Sequence, residues 1–323
     1  MREGSTVDGL IGHTGFVGGN LVRQHPFAAR FNSANVGELV GASFDTVVCA
    51  AAPGSMFEAN RFAERDAARI DALIEQLDAI GSARRFVLVS TVAVLAGFAA
   101  EDEDTTAFET ATPYGVNRRR LEAFVAERFT GALVVRLPAL FGPVLKKNFL
   151  FDFMNPMPSM VPPAGLEQLR GAVGSALAPV LDRLYPLDAE LGMHMIDRAA
   201  LDASGQRTAL EQAVVGAGLG ALRFTNRESR FQFYDMRRLW RDIGLGLEHG
   251  LEVLHLSPPQ LSAGEVHRAV TGTAMPESTA RVHSEDMRTR HAALWGQPGP
   301  YMATREEVLA AVAEFVQAER VPA

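Results

Sequence analysis

The 323-residue chain has little cysteine, no long apolar run and no concentration of positive charge. Its single cysteine, Cys49, excludes an intrachain disulfide framework and a metal site built from several thiolates, so we expect a reducing, cytoplasmic location. No stretch reaches the roughly 18 apolar residues that span a bilayer, so no membrane partner is expected. The net charge of −7 and the scattered basic residues argue against a nucleic-acid partner.

The histidines are also dispersed. His283 and His291 are eight positions apart and lack the i, i+4 spacing of a helical metal pair, so no metal site is predicted. With 47% hydrophobic and 21% charged residues, the chain can bury a full core. We therefore expect a globular protein with one large or two closely associated domains, whose partner is a small molecule.

The first half of the chain alternates buried strands with amphipathic helices. A parallel sheet covered on both faces follows from this order, because parallel strands need crossover connections. The sequence therefore predicts a doubly wound α/β domain over residues 1–145. Its predicted strands are 7–11, 29–36, 44–52, 84–95 and 131–143, and its predicted helices include 64–80 and one that begins at Thr112.

The pattern changes after Pro143, where the segment NPMPSMVPP (155–163) interrupts any regular element. We interpret 146–228 as an insertion or cap that contributes to a substrate site. Residues 229–243 are predicted to form a strand that leads into a helix, and 251–257 another strand. Region 229–323 would thus hold the last sheet strands and a smaller, mostly C-terminal substrate-binding region.

Glycines at 12, 15 and 18 have GxxGxxG spacing between the first strand and a helix. Such a turn lets the backbone approach a pyrophosphate at the helix N-terminus, although the same glycines can serve geometry alone. The strand and helix series that follows favours a dinucleotide, because ligands of open α/β sheets bind at the carboxyl ends of the strands. The candidate cofactor-binding residues of this turn are Gly12, His13, Thr14, Gly15, Phe16, Val17 and Gly18.

A second glycine cluster, AVVGAGLGALRF (213–224), matches the G-x-G-x-x-A pattern better than the first. Helical spacing precedes it and the strand-like ALRFT follows it, which is the reverse of the order that phosphate binding needs. We interpret it as the end of a helix.

An acidic residue that would hold a ribose 2′-hydroxyl is expected about 20 positions after the glycines, and none is present. The corresponding strand offers Asn32 and Ser33 as cofactor contacts, with Arg30 as a candidate partner for a 2′-phosphate. The sequence slightly favours NADP over NAD.

Tyr114 lies in TPYGVNRRRLEAF (112–124), where Thr112 is the expected N-cap and Pro113 the first helical residue. A phenol with an ordinary pKa of about 10 needs a nearby cation to exchange protons near neutrality. Arg118, one turn along the helix, can supply that cation. The alternative is that Tyr114 is an aromatic residue packed against the sheet.

The segments GHTGFVG, CAAA, VLVSTVAVL, YGVNR and VVRLPALFGP occur in the order and spacing of the extended short-chain dehydrogenase/reductases. The chain resembles this family, which includes NAD-dependent epimerases and dehydratases, well over 7–143 and again at RFQFYDMRRLW. The resemblance implies a Rossmann-like domain that binds NAD(P). It also implies that Thr91, with Ser90 as the alternate, orients a substrate oxygen, that Tyr114 transfers a proton, and that Ala50, Ala51 and Ala52 line the cofactor path.

The chain departs from the family at Arg118, which occupies the position of a lysine that binds the nicotinamide ribose. Arginine keeps the charge, but its planar guanidinium reaches differently. The resemblance further implies that Leu137, Pro138 and Ala139 lie beside the cofactor. It also implies a homodimer through helices 64–80 and 112–129. Asn148, which follows two lysines, is a candidate contact for a substrate diphosphate.

These observations predict an NAD(P)-dependent oxidoreductase or epimerase that acts on a carbonyl or secondary alcohol, with a nucleotide sugar as the expected substrate. Two alternatives stay open. The first is a non-catalytic NAD(P)-binding sensor or scaffold, in which loss of the lysine marks loss of chemistry. The second is a reductase of a non-nucleotide natural-product ketone, because residues 150–230 match no substrate site.

Overall fold

The structure is a computed structural model that describes residues 7–320. The chain forms two compact units. The first contains the residues up to Leu145 together with Phe231–Leu261 and Ser284–Val312, and the second contains Lys146–Arg230, Ser262–His283 and the residues from Ala313 on. Among the described residues, no helix is both long enough and apolar enough to cross a bilayer.

The strands are, in chain order, β1 Asp8–Ile11, β2 Ala29–Phe31, β3 Ser43–Cys49, β4 Ser82–Thr91, β5 Leu133–Leu137, β6 Ala139–Phe141, β7 Met160–Val161, β8 Leu187–Asp188, β9 Met193–Met195, β10 Arg230–Phe231, β11 Phe233–Asp235, β12 Val253–His255 and β13 Leu261–Ser262. The α-helices are α1 Phe16–Val22, α2 Met56–Arg61, α3 Ala63–Asp78, α4 Pro113–Arg128, α5 Phe149–Met154, α6 Pro163–Leu184, α7 Arg198–Ala203, α8 Arg207–Gly216, α9 Leu239–Glu248, α10 Ala263–Thr271 and α11 Arg305–Arg320.

The first unit is built on a parallel sheet in the order β12-β5-β4-β3-β1-β2. Between β1 and β3 the order of the strands changes sides: β2 lies beyond β1 at one edge, whereas β4, β5 and β12 follow β3 toward the other. The loops that follow β1 and β3 therefore border the crevice where open α/β sheets bind ligands. The predicted α/β fold with a doubly wound parallel sheet is confirmed.

Helix α4 covers this sheet with an apolar stripe. Leu121, Val125 and Phe129 are at most 5% exposed and belong to the same core as Phe86 of β4, whose ring stacks on Phe129 at 4.0 Å. Phe124 packs against the edge of that core. The stripe therefore serves burial against the sheet.

Several predicted strands differ in extent. The predicted strands 29–36, 44–52 and 251–257 end earlier, at Phe31, Cys49 and His255. The predicted strand 131–143 is divided at Pro138, which has no N–H for a strand ladder, and β6 pairs with β11 in a separate sheet. The predicted strand 84–95 ends at Thr91, where Val92–Val94 form a 3₁₀ turn.

The second glycine cluster ends a helix, as predicted, because α8 stops at Gly216 and Gly218 adopts φ +71°. The strand-like interpretation of the following ALRFT is wrong. Ala221–Phe224 form a 3₁₀ turn, in which the Ala221 N–H bonds to the carbonyl of Pro156 and Phe224 is 53% exposed.

The second unit has its own apolar core, centred on α6 and α8 with β7, β9 and β8 as a small antiparallel sheet. Tyr185 is buried in this core, and its hydroxyl donates to the carbonyl of Pro158 at 2.7 Å. Residues 146–230 therefore fold around side chains of their own.

Candidate active site

The glycine turn between β1 and α1 cannot hold side chains at two of its positions. Gly12 has φ +88°, and a Cβ there would lie 2.6 Å from the carbonyl oxygen of Ala50. A Cβ at Gly18 would overlap the carbonyl oxygen of Gly12, whereas at Gly15 the nearest atom would be 3.4 Å away. The turn is therefore a bare backbone surface of the kind that phosphates approach.

His13 fastens this turn to the neighbouring strand. Its Nδ1 bonds to the carbonyl of Phe31 at 3.0 Å, and the Gly12 N–H donates to the same carbonyl at 2.8 Å. Thr14 and Gly15 are exposed, whereas Phe16 and Val17 are half-buried. His13 thus holds the turn in place, and the exposed side of the turn is formed by Thr14 and Gly15.

The segment after β2 uses its own side chains locally. Asn32 Oδ1 accepts the Ala34 N–H at 2.8 Å, which closes a small turn, and Ser33 is exposed. Arg30 is exposed, and its Nε donates to the carbonyl of Phe27 at 3.1 Å. The segment carries no carboxylate.

Tyr114 lies in the first turn of α4 and is half-buried. Thr112 is the N-cap, but its hydroxyl donates to Glu109 Oε2 at 2.9 Å instead of capping the helix. Asn60 Oδ1 accepts the Tyr114 N–H at 3.0 Å in its place. The side chain of Thr91, the last residue of β4, lies close enough to the Tyr114 phenol to act on its pKa.

Arg118 lies against the face of the Tyr114 ring, with Cζ 4.0 Å from the ring centroid. The arginine is only 2% exposed. Its Nη1 donates to Asp66 of α3 and, at 3.3 Å, to the carbonyl of Tyr114, while Nη2 donates to the carbonyl of Pro53. The guanidinium is thus enclosed by the protein.

The pKa of Tyr114 is raised above its ordinary value. Burial is the largest cause, because it disfavours phenolate, and the charge of Asp66 acts in the same direction. The charge of Arg118 and the hydrogen bond from Thr91 oppose this rise without cancelling it. Tyr114 is therefore a phenol at neutral pH.

Ser90, the alternate to Thr91, lies in a different environment. Its hydroxyl donates to Glu122 Oε1 at 2.6 Å, and both groups are buried. Glu122 also receives two hydrogen bonds from Arg136, whose Nη1 contacts His255 Nε2 at 3.1 Å. Of the two candidate hydroxyls, the structure brings Thr91 to Tyr114 and Ser90 into this buried network.

The remaining candidates occupy separate positions. Ala50, Ala51 and Ala52 follow β3, where the Ala50 N–H donates to the carbonyl of Ile11 at 2.9 Å. Leu137 and Pro138 are buried and Ala139 is half-buried. Asn148 belongs to the second unit, where its Oδ1 caps α5 by accepting the N–H groups of Leu150 and Phe151.

Comparison with solved structures shows what this architecture resembles. The alignment with RMD from Pseudomonas aeruginosa, complexed with NADPH, covers 97% of this chain and 100% of the RMD chain, at 17% identity and a TM-score of 0.59. UDP-glucose 4-epimerase from Thermotoga maritima, with UDP-glucose, matches 97% and 99% at 14% identity and a TM-score of 0.57. The dTDP-4-dehydrorhamnose reductase from Bacillus anthracis, with NADP, matches 97% and 99% at 13% identity and a TM-score of 0.59. No protein-family model and no curated protein matches the sequence.

The fold is shared with these solved structures. The glycine turn, Thr91 and Tyr114 lie after β1, at the end of β4 and at the start of α4, the elements in which the sequence predicts them. The departure is Arg118, which is bound to a carboxylate on α3.

Sequence reasoning missed this carboxylate. Asp66 is 4% exposed and falls in register with Ile70, Leu73 and Leu77, the buried stripe of α3. An acidic residue at an apolar position of an amphipathic helix is the signal that could have found it, because a buried carboxylate requires a partner.

Proposed function

We propose that the chain is an NAD(P)-dependent oxidoreductase or epimerase that acts on a carbonyl or a secondary alcohol of a nucleotide-linked sugar. The observation that carries the proposal is the approach of the Thr91 side chain, at the end of β4, to the Tyr114 phenol in the first unit, the unit that also holds the glycine turn. The segment after β3 connects the two features, because Ala50 touches Gly12 and Pro53 bonds to Arg118. The solved structures that support a sugar-nucleotide substrate include one with UDP-glucose.

The residues of the glycine turn fit a dinucleotide. A Cβ at Gly12 or Gly18 would clash with the backbone of Ala50 or Gly12, so glycine allows the close packing of this turn, and the exposed Thr14 and Gly15 offer the surface that a pyrophosphate would approach. The segment after β2 offers Asn32 and Ser33 without a carboxylate, which favours NADP slightly over NAD. A bound nicotinamide would supply the hydride transfer that the proposed reaction requires.

Tyr114 Oη is the group that moves a proton to or from the substrate oxygen, and the Thr91 hydroxyl orients that oxygen and the phenol. Arg118 contributes charge beside the ring. Its burial at 2% exposure disfavours the second role that a lysine would have at this position, a bond to the cofactor ribose.

Titration of the purified protein with NADPH and NADH, followed by fluorescence, tests the proposal. Binding followed by oxidation of the reduced cofactor with one keto-sugar from a panel of UDP-, GDP-, CDP- and dTDP-linked sugars is the expected result. Tyr114→Phe should lower turnover at least about 100-fold, the usual contribution of a positioned acid or base. Tyr301→Phe, which removes a hydroxyl bonded to Asp286, is the matched control and should retain turnover. Full turnover by Tyr114→Phe would refute the mechanism.

A non-catalytic NAD(P)-binding protein is the second candidate, and the enclosed guanidinium of Arg118 favours it. Such a protein would bind cofactor, would show no turnover across the sugar panel, and would not gain activity from Arg118→Lys. Activity of Arg118→Lys in an otherwise inactive chain would instead show that only the lysine is missing.

A homodimer through α3 and α4 also remains a proposal. The apolar stripe of α4 is buried against the sheet, so the contact would use the outward faces, which carry Val116 at 38% exposure. Sedimentation of the purified protein would measure its mass, and a monomer at micromolar concentration would contradict the dimer.

A further inference from the structure

Resting on the proposed function, we infer that Asp66 is a positioning residue for Tyr114. It holds Arg118 against the tyrosine ring as an ion pair, and thereby weakens the field by which a lone guanidinium would draw the proton from Tyr114. Asp66 accordingly favours Tyr114 as the proton donor in reduction of a carbonyl over Tyr114 as the proton acceptor from an alcohol.

The geometry of the pair is the first argument. Asp66 and Arg118 are 4% and 2% exposed, so neither charge is screened by water. Asp66 Oδ2 accepts from both Arg118 Nη1 and Asn117 Nδ2, the latter at 2.8 Å. These two donors are successive residues of α4, so the carboxylate fixes the helix turn that presents the guanidinium to the Tyr114 ring.

Electrostatics is the second argument. A lone guanidinium with Cζ 4.0 Å from the ring centroid would favour phenolate strongly in a buried site. The carboxylate of Asp66 offsets part of that field, and burial outweighs the remainder. The pKa of Tyr114 is accordingly raised, with burial as the first cause and the charge of Asp66 acting in the same direction.

The other charged groups near the start of α4 are occupied elsewhere. Glu58 of α2 and Arg69 of α3 face each other at 3.9 Å, and both are about half exposed. Glu109, in the loop before α4, accepts from the Ala111 N–H and the Thr112 hydroxyl, and these bonds lower its pKa. Arg61 of α2 lies over the ring of Phe62. Among the described charges, Arg118 and Asp66 are those that act on the phenol.

The chemical consequence concerns one proton. The O–H bond of Tyr114 breaks as an O–H bond forms on the substrate oxygen, and the phenolate left behind regains its proton from water. A reduced nicotinamide, bound as in the proposed function, would supply the hydride that completes the reduction at the substrate carbon. In the opposite direction Tyr114 would first have to lose its proton, and Asp66 weakens the help that Arg118 gives to that loss.

The test is a pH titration of tyrosinate absorbance, in which the spectrum of each protein is corrected by subtracting that of its Tyr114→Phe counterpart. Asp66→Asn keeps the size of the side chain and an oxygen acceptor but removes the charge. We expect the Tyr114 midpoint to fall by roughly 1 pH unit, the lower end of the effect of an uncompensated neighbouring cation. Asp71→Asn is the matched control, because Asp71 pairs with Arg120 at 2.8 Å across the same two helices but at the surface. Its midpoint should not move.

A double variant separates charge from disruption. Asp66→Asn with Arg118→Met removes both charges and leaves no buried cation unpaired, so its midpoint should lie above that of Asp66→Asn alone, in which the guanidinium favours phenolate. If Asp66→Asn alone does not fold, Arg118→Met is compared with the double variant, and its midpoint should be higher because Asp66 is then uncompensated. The inference is overturned if the midpoint of Asp66→Asn equals that of the unmodified protein, or if the midpoint of Arg118→Met equals that of the double variant. The titration needs no substrate, so its outcome is independent of whether the proposed turnover is found.

Discussion

Two buried arginine–carboxylate pairs meet helix α4 one turn apart, and they are built differently. Glu122 is saturated, with hydrogen bonds from Ser90, Arg119 and two nitrogens of Arg136. Asp66 receives one nitrogen of Arg118, whose Nε is buried without a hydrogen bond among the described residues. The Glu122 pair lies within a polar network, whereas the Asp66 pair borders the ring of a half-buried tyrosine.

The difference shows where this fold uses buried charge for stability and where it can use it for chemistry. A carboxylate with every acceptor position filled is expensive to disturb, because each lost bond leaves a desolvated partner. A pair with fewer bonds beside an ionisable hydroxyl transmits its charge to that hydroxyl. Stability should therefore depend more on Glu122, and proton transfer more on Asp66.

The largest expected effect is on Glu122. Glu122→Gln should lower the free energy of unfolding by about 3 kcal/mol. The amide leaves the buried Arg136 without a counter-charge, and its NH₂ group, itself a donor, faces the N–H donors that Glu122 accepts. Urea unfolding followed by circular dichroism measures the loss. Arg119→Ala, which removes the 36% exposed partner of the same carboxylate, should cost less than about 1 kcal/mol. Equal losses in the two variants would show that the network is not cooperative.

The sequence predicted the doubly wound sheet because its strands are continuous apolar runs, and because apolar residues in its helices recur every three to four positions. It also predicted Gly12, Gly18, Thr91 and Tyr114 at the positions that the structure gives them. These features are local, since each is written in a few consecutive residues. Their assignment to a cofactor and a substrate remains a proposal.

The polar network could not be predicted in the same way. Ser90, Arg136 and His255 lie in one row across three neighbouring strands, with Ser90 opposite Arg136 and Arg136 opposite His255. They are separated by 46 and 119 positions in the sequence, and only the strand register brings them together. Asp66 and Arg118 meet for a similar reason, because α3 and α4 pack side by side.

His255 provides the second prediction, which concerns pH. Its Nδ1 donates to the carbonyl of Arg288 at 2.9 Å, so its Nε2 must be the neutral acceptor that faces Arg136. Burial lowers the pKa of His255, the charge of Arg136 acts in the same direction, and Glu103 opposes them. The folded protein therefore binds this proton less readily than the unfolded chain, whose histidine titrates near 6.5.

Stability from His255 is consequently complete above about pH 6.5 and is lost as the pH falls, by at most about 1.4 kcal/mol per pH unit. Urea unfolding at pH 7.5 and 5.5 measures the loss, and His255→Gln should remove it. The difference between the two proteins is the relevant quantity, because Asp152, whose pKa burial raises to about 7, titrates in the same range with the opposite sign. An identical pH dependence in both proteins would contradict the lowered pKa of His255.

The smallest expected effect distinguishes two neighbouring hydroxyls, Ser90 and Thr91. Ser90→Ala removes one of several bonds to Glu122 and should cost about 1 kcal/mol of unfolding free energy, with turnover retained. Thr91→Ala should cost less stability, because Thr91 is half-buried and its hydroxyl otherwise accepts only the Ala93 N–H at 3.2 Å. Its turnover should instead fall at least about tenfold, the equivalent of one lost hydrogen bond of about 1.4 kcal/mol. Should Ser90→Ala reduce turnover while Thr91→Ala only destabilises, the saturated network would be part of the reacting site, and the division of labour between the two arginine pairs would be reversed.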